Sequence, residues 1–262
     1  MMPALARPDG ARIHYDVRGE GPLVVLALGF AATPKTYAGI AGELERDHTV
    51  VTWDPRGCGA SSQEGPVDIA TDAADLVALI RALDGSATVF AIGQGSLIAP
   101  RARAIDPEAV QSMVSPAVVV ALRGHLGDTE GFGGSQPVID MLVEQLRRDP
   151  RGAVRATIGS LNPQYDEDEL RARVDETLAY TSPETTLARV ESWLAHGEAL
   201  DDLRGFGDRL AVLWTADDSW QAGSIPRARD LLPEARFIEL EDGPLSRPDL
   251  AAAVVREMTS RS

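Results

Sequence analysis

Residues 87–97, Ala-Thr-Val-Phe-Ala-Ile-Gly-Gln-Gly-Ser-Leu, form the stretch that decides the fold. The uninterrupted apolar run Ala87–Ile92 predicts a strand covered on both faces, as in a parallel sheet. The two glycines that follow, separated by one residue, mark a tight turn. Ser96–Ile105 then predicts a helix. A buried strand therefore passes directly into a helix, which is the repeating unit of an α/β sheet.

Other segments of the chain repeat this alternation of strands and helices. Further strands are predicted at Ala11–Val17, Leu23–Leu28, Thr49–Trp53, Leu210–Trp214 and Phe237–Leu240. Helices are predicted at Ile69–Leu83, where apolar residues recur at helical spacing, and at Pro248–Met258. Because strands alternate with helices, we expect an α/β fold with a mostly parallel sheet and helices on both faces.

The middle of the chain differs from its two ends. Residues 117–208 show no strand character, and apolar residues recur there at helical spacing. We therefore expect an α/β core formed by residues 1–116 and 209–262, with an all-helical insertion between them. Ligands of α/β sheets bind at the carboxyl ends of the strands, so we expect the insertion to be a lid over that edge. The alternative is a helical layer that only completes the core.

Composition and charge argue against some classes of binding partner. The chain has 262 residues, a formal net charge of −15 and a single lysine, Lys35. Nucleic acids and anionic membranes attract basic patches, so neither is expected as a partner. The one cysteine, Cys58, excludes an intrachain disulfide, and no stretch approaches the roughly 20 apolar residues of a spanning helix. We expect a soluble, cytoplasmic protein, and its assembly into a homo-oligomer is left open.

Neither a metal nor a cofactor is expected. The acidic pair Asp217 and Asp218 has no second cluster of histidine or cysteine with metal-ligand spacing. The glycine-rich segment Gly127–Gly134 lacks the preceding strand and the Lys-Ser/Thr pair of a phosphate-binding loop.

Four motifs resemble those of one enzyme superfamily. They are Ile13-His14-Tyr15 with Gly19, Leu28-Gly29-Phe30 with Tyr37, the loop Asp54–Ser61, and the turn within residues 91–97. The loop, Asp-Pro-Arg-Gly-Cys-Gly-Ala-Ser, matches the pattern D-x-R-G-x-G-x-S at every specified position. On these motifs the chain is similar to the α/β-hydrolase superfamily over nearly its whole length, and the loop resembles that of proline iminopeptidases. We expect a charge-assisted bond between Asp54 and Arg56 to fix the geometry of the loop.

The resemblance also implies where a catalytic triad would stand. In that superfamily the serine occupies the tip of a G-x-S-x-G turn, and the acid and the histidine follow along the chain. Our alignment places the tip on Gly95, which has no side chain. The acid position falls on Asp218, the histidine position falls on Pro244, and no histidine follows His196. The resemblance therefore implies a degenerate triad that retains only its acid.

Alternative catalytic groups remain in the sequence. Ser96 is the alternative nucleophile, and His125 and His196 are alternative bases within the helical insertion. By family position, the backbone N–H groups of Phe30 and Ser96 would form an oxyanion hole. The residues expected to line a binding pocket are Gly29, Phe30, Tyr37, Gly95, Ser96, Trp220 and Pro244.

Three functions are compatible with these features. The first is an enzyme that binds a small organic molecule between sheet and lid and promotes proton transfer, elimination or cyclisation by oxyanion stabilisation. The second is a non-catalytic pseudo-hydrolase that binds a ligand in the same pocket. The third is a hydrolase of esters or amides that uses Ser96.

Overall fold

The computed structural model describes residues 3–83, 85–116, 118–126, 136–196, 199–217 and 222–261 (for residues 119, 123–124, 136–139 and 196, the backbone only). Its strands are β1 Ala4–Ala6, β2 Arg12–Arg18, β3 Leu23–Ala27, β4 Thr49–Trp53, β5 Ala87–Ala91, β6 Val110–Ser115, β7 Leu210–Trp214 and β8 Arg236–Glu239. They form one sheet in the order β1-β2-β4-β3-β5-β6-β7-β8. Strand β2 pairs antiparallel with both β1 and β4, and the other neighbours are parallel.

Helices cover both faces of this sheet. They are α1 Ala38–Leu44, α2 Ile69–Leu83, α3 Gly95–Ile105, α4 Gln136–Arg148, α5 Pro150–Leu161, α6 Glu167–Tyr180, α7 Pro183–His196, α8 Leu200–Arg204, α9 Ile225–Leu231 and α10 Pro248–Thr259. Val25, Val51 and Val89 pack in one core layer with α2 and α3, whereas Val24, Leu26 and Phe90 pack in the other with α1 and α10. The predicted α/β-hydrolase fold is confirmed. None of the helices in the described part of the chain combines the length and apolar character needed to cross a bilayer.

The sequence analysis missed the edge strand β1, the helices α1 and α9, and the central strand β6. The sequence of β6, Val-Gln-Ser-Met-Val-Ser, interrupts the apolar run with polar residues. The hydroxyl groups are paired inside the sheet layer, Ser112 with Thr88 at 2.8 Å and Ser115 with Ser96 at 2.9 Å. Because paired hydroxyls can be buried at little cost, this strand needs no continuous apolar run.

Residues 118–208 hold helices and no strand where the structure describes them, apart from an isolated bridge between Cys58 and Thr181. This segment lies between β6 and β7 in the chain, and we call it the helical segment. Its division from the core as a separate lid domain stays a prediction.

The turn between β5 and α3 differs from the sequence alignment by two residues. Gly93 has a φ of +54°, in the left-handed region, whereas Gln94 is already helical at φ −60°. The tip of the turn is therefore Gly93 and not Gly95. A Cβ on Gly95 would overlap the carbonyl oxygen of Ala27, because α3 crosses β3 at backbone contact there. Gly93 therefore forms the left-handed tip, and Gly95 allows α3 to pack closely against β3. The sequence shows both glycines, but only the backbone geometry shows which role each one has.

The loop Asp54–Ser61 connects the helical segment to the core. Asp54 accepts hydrogen bonds from Tyr180 of α6 at 2.9 Å and from the backbone of Ala60 at 2.9 Å, and its Oδ2 lies 2.9 Å from His14 Nδ1. Arg56 pairs with Asp75 of α2, so the expected bond between Asp54 and Arg56 is wrong. Asp54 and Arg56 are instead held by different helices, α6 and α2.

A buried guanidinium on α7 completes this connection. Arg189 pairs with Asp72 of α2 and donates to the carbonyl oxygen of Arg56 at 2.6 Å. Asp72 is 0% exposed, so its carboxylate has no access to solvent that could replace Arg189. The position of α7 therefore depends on this pair.

We expect Gly95→Ser to destabilise the fold much more than Gly93→Ser. The overlap at Gly95 involves backbone that cannot shift, so the loss should reach or exceed about 3 kcal/mol. At Gly93 a Cβ would meet only Gly29 Cα at 3.3 Å, and the left-handed backbone should cost about 1–2 kcal/mol. Urea unfolding of both variants measures the difference. Gly42→Ser in α1, where a Cβ meets nothing within 4 Å, is the control, and equal losses at the two turn positions would contradict the assignment.

Replacing Arg189 by Met should leave the Asp72 carboxylate buried without a partner. Removing one member of a buried ion pair costs about 3–5 kcal/mol, so we expect a loss of that size in the free energy of unfolding. Arg147→Met is the matched control, because Arg147 pairs with Glu191 on the surface and such pairs contribute about 1 kcal/mol or less. Losses of similar size in the two variants would show that the buried pair does not hold α7.

Candidate functional site

A cavity of about 450 Å³ lies at the carboxyl ends of the parallel strands. Its core side is formed by the loop after β3, the turn after β5 and the loops that follow β7 and β8. Its other side is formed by α4, α5, α6 and α7. The volume falls within the range of about 300–1,000 Å³ that is typical of small-molecule sites.

The floor of the cavity is bare backbone at Gly93. A Cβ at this position would stand 4.0 Å from the amide nitrogen of Phe30, and Gly93, Gln94 and Phe30 all line the cavity. Within the described part of the chain, neither the Phe30 N–H nor the Gln94 N–H donates to another residue. Two free backbone donors from different elements therefore flank a tip without a side chain.

The segment that carries the Phe30 N–H is restrained by its own backbone hydrogen bonding and by a contact with α6. Ala31 has a φ of +61° and is the one residue other than glycine with positive φ in the described chain. Thr33 follows it and starts a short 3-10 helix at Pro34–Tyr37, with its backbone N–H bonded to Thr36 Oγ1 at 3.1 Å. The Thr33 hydroxyl donates to Glu176 of α6, so the helical segment restrains this loop directly.

Charged groups lie around the cavity. Its described carboxylates are Glu176, Asp217 and Asp242, and its one described guanidinium is Arg173, 3.5 Å from Glu176. Glu176 is the least exposed of the three carboxylates. Burial, and secondarily Tyr165, raises the pKa of Tyr37 far above its ordinary value. The Tyr37 phenol therefore stays protonated at neutral pH.

The structure brings together four of the residues that the sequence analysis assigned to a pocket. Gly29, Phe30, Tyr37 and Pro244 line the same cavity. Pro244 lies in the loop after β8, at the place where the family resemblance implies a histidine. No histidine is found in the described lining of the cavity.

Gly95 and Ser96 are not part of this lining. Gly95 packs against β3 as described above. Ser96 is 0% exposed, and its hydroxyl lies 2.9 Å from that of Ser115 in β6. The hydroxyl therefore faces the sheet and not the cavity, and Ser96 as a nucleophile is wrong. The second free N–H at the turn belongs to Gln94 and not to Ser96, because the tip lies two residues earlier than aligned.

The remaining candidates are placed elsewhere or not described. His125 ends a 3-10 helix, where its carbonyl oxygen accepts from Arg227 at 3.4 Å, and it is not among the cavity residues. His196 ends α7, and its side chain lies outside the described residues, as do Asp218 and Trp220. Asp217, next to the predicted acid position, does line the cavity. The described residues contain no group of three or more potential metal ligands.

Sequence reasoning missed three polar residues of the site: Gln94, Asn162 and Glu176. Gln94 directly follows the true tip, so a correct alignment of the turn would have found it. Asn162 follows the end of α5 and Glu176 lies on α6, and no local pattern sets the orientation of these helices.

Comparison with known proteins places the chain in a family. A model of the alpha/beta hydrolase family matches residues 24–255. Over 143 residues the chain is 32% identical to the polyketide synthase ThaQ of Burkholderia thailandensis, a match that covers 50% of this chain and 7% of that protein. Over 152 residues it is 30% identical to the uncharacterized hydrolase YraK of Bacillus subtilis, covering 55% of this chain and 52% of that protein. The matches thus span at most about half the length of these two relatives.

Solved structures agree with this assignment at the level of the fold. An esterase from Exiguobacterium antarcticum superposes with a TM-score of 0.78 at 18% identity, over 98% of this chain and 99% of the esterase. A bromoperoxidase from Bacillus anthracis superposes with a TM-score of 0.78 at 17% identity, over 97% of each chain. At such identities the similarity concerns the fold alone. Because the family match extends over most of its length, this chain belongs to the alpha/beta hydrolase family.

Proposed function

We propose that this chain binds a small organic carbonyl compound in the cavity and acts on it by non-hydrolytic chemistry. The observation that carries the proposal is the tip of the turn, where Gly93 has no side chain to attack a substrate. A degenerate triad is supported further by Pro244 at the implied histidine position and by a described lining without histidine.

The two free backbone donors support the binding of a carbonyl oxygen. The N–H groups of Phe30 and Gln94 would form an oxyanion hole, which keeps its function without a nucleophile because it consists of backbone alone. A carbonyl bound there becomes easier to enolise, since the donors stabilise the negative charge that develops on oxygen. Proton transfer next to a carbonyl is therefore the reaction that this arrangement favours.

Glu176 is the best candidate for the base in that reaction. Thr33 links it to the loop that carries the Phe30 N–H, so the carboxylate and the donor keep a defined relation. As the least exposed of the lining carboxylates, it would be shielded from water when the cavity is filled. The helical segment, which supplies Glu176, would then serve as the lid of the site.

Exchange of α-protons tests this proposal. We expect the protein to accelerate deuterium incorporation at the carbon next to the carbonyl of 2-tetralone in D2O, followed by proton NMR. General-base catalysis contributes about 100-fold or more, so Glu176→Gln should lower the rate at least about tenfold. Glu169→Gln on the exposed side of α6 is the matched control and should leave the rate unchanged.

Two outcomes would contradict the proposal. The first concerns catalysis, and the second concerns the absence of an activated serine. Binding of 2-tetralone without faster exchange would mean that the protein binds its ligand without catalysis. Labelling of the native protein by a fluorophosphonate probe would reveal an activated serine and hence a hydrolase, since an unassisted hydroxyl is a poor nucleophile.

A further inference from the structure

The side chain of Gln94 is oriented by its own hydrogen bond. Its Nε2 donates to the carbonyl oxygen of Arg189 on α7 at 2.7 Å. Since that partner is an acceptor, the amide orientation is defined and Oε1 is the atom left over. Within the described residues Oε1 accepts no hydrogen bond, and it is not fully occluded although the residue is only 4% exposed. Gln94 lines the cavity, which is where this oxygen would meet a ligand.

The same residue therefore offers a donor and an acceptor to one ligand. Its backbone N–H, together with that of Phe30, is free to bind a carbonyl oxygen. Its Oε1 is free to accept a hydrogen bond from an adjacent group. A ligand that supplies only the carbonyl would bury this oxygen without a partner, which is costly.

Gln94 Oε1 differs in accessibility from two other unpaired polar atoms of lining residues. Asn162 Oδ1 and the Trp193 indole N–H also have no hydrogen-bond partner in the described chain, but both atoms are fully buried. A ligand in the cavity would therefore meet the Gln94 oxygen and not these two atoms. An accessible amide oxygen also opposes a carboxylate, which could only accept hydrogen bonds.

We propose that the cavity selects lactams, in which a carbonyl stands beside an N–H on the same side of the molecule. The ring holds the amide in the cis form, so its C=O and N–H point in similar directions, as pairing with the Phe30 and Gln94 N–H groups and with Gln94 Oε1 would require. An ester or lactone lacks the N–H, and an acyclic trans amide directs it away from the carbonyl side. This inference rests on the proposed carbonyl-binding function and specifies the ligand class of that site.

Three probes of nearly equal shape test the selection: 2-quinolinone, N-methyl-2-quinolinone and coumarin. Each has the same fused rings and one carbonyl, but only 2-quinolinone has an N–H beside it. We expect 2-quinolinone to bind at least about tenfold more tightly than the other two, because these leave Gln94 Oε1 unpaired. Titration followed by tryptophan fluorescence or by NMR measures the three dissociation constants on the native protein, so this comparison needs no variant.

Gln94→Met then assigns the preference to one side chain. Methionine is similar in length to glutamine but lacks the acceptor oxygen. The ratio of dissociation constants should therefore fall to within about twofold, even if all three affinities change. Gln164→Met is the matched control, because Gln164 also lines the cavity but is exposed, and the ratio should persist there. Equal binding of the three probes by the native protein would overturn the lactam proposal and leave carbonyl binding intact. Failure of all three to bind at millimolar concentration would overturn both.

Discussion

The buried pair between Arg189 and Asp72 is the contact on which the cavity depends. It joins α7 to α2, and Arg189 also donates to the Asp54–Ser61 loop. Such a pair adds little net stability compared with an apolar contact, because both charges lose their water. Its effect is positional, since few other placements of α7 would satisfy both groups. One turn of α7 consequently sets three features of the site: the Arg189 carbonyl that orients Gln94, the Arg189 pair itself, and Trp193 in the cavity wall.

The turn after β5 keeps its left-handed backbone with glycine at its tip. A serine at the tip adopts a strained left-handed backbone, and evolution retains that strain where the side chain is used. Gly93 adopts the same conformation without strain, so the turn keeps its shape. The close approach of α3 and β3 at Gly95 is a separate requirement of packing, and it persists whatever the tip residue is. The donors and the cavity therefore need no side chain at the tip.

These features together describe a cavity whose described floor at the turn is backbone. The Glu176 carboxylate, which Thr33 restrains, belongs to the helical segment. The Gln94 amide is fixed by its hydrogen bond to a main-chain carbonyl, so its oxygen is oriented before a ligand arrives. Preorganised groups of this kind provide specificity because a mismatched ligand leaves them buried and unpaired.

Local sequence patterns determined most of the fold. Apolar runs and helical spacing placed six of the eight strands and the helices α2, α3 and α10, because burial of a strand or of one helix face leaves a repeating pattern in the residues themselves. They failed at β6, where paired hydroxyls replace the apolar run, and at the Asp54 loop, where the partner of each charge comes from a distant helix. The composition of the turn, with two glycines in three residues, was readable from the sequence, but which glycine forms the tip was not. That choice depends on how α3 crosses the sheet. The placement of α5, α6 and α7 likewise brings four lining residues around one cavity: Gln94, Asn162, Glu176 and Trp193. Only the tertiary structure decides it, because contacts between segments more than 60 residues apart leave no periodic signal in either segment.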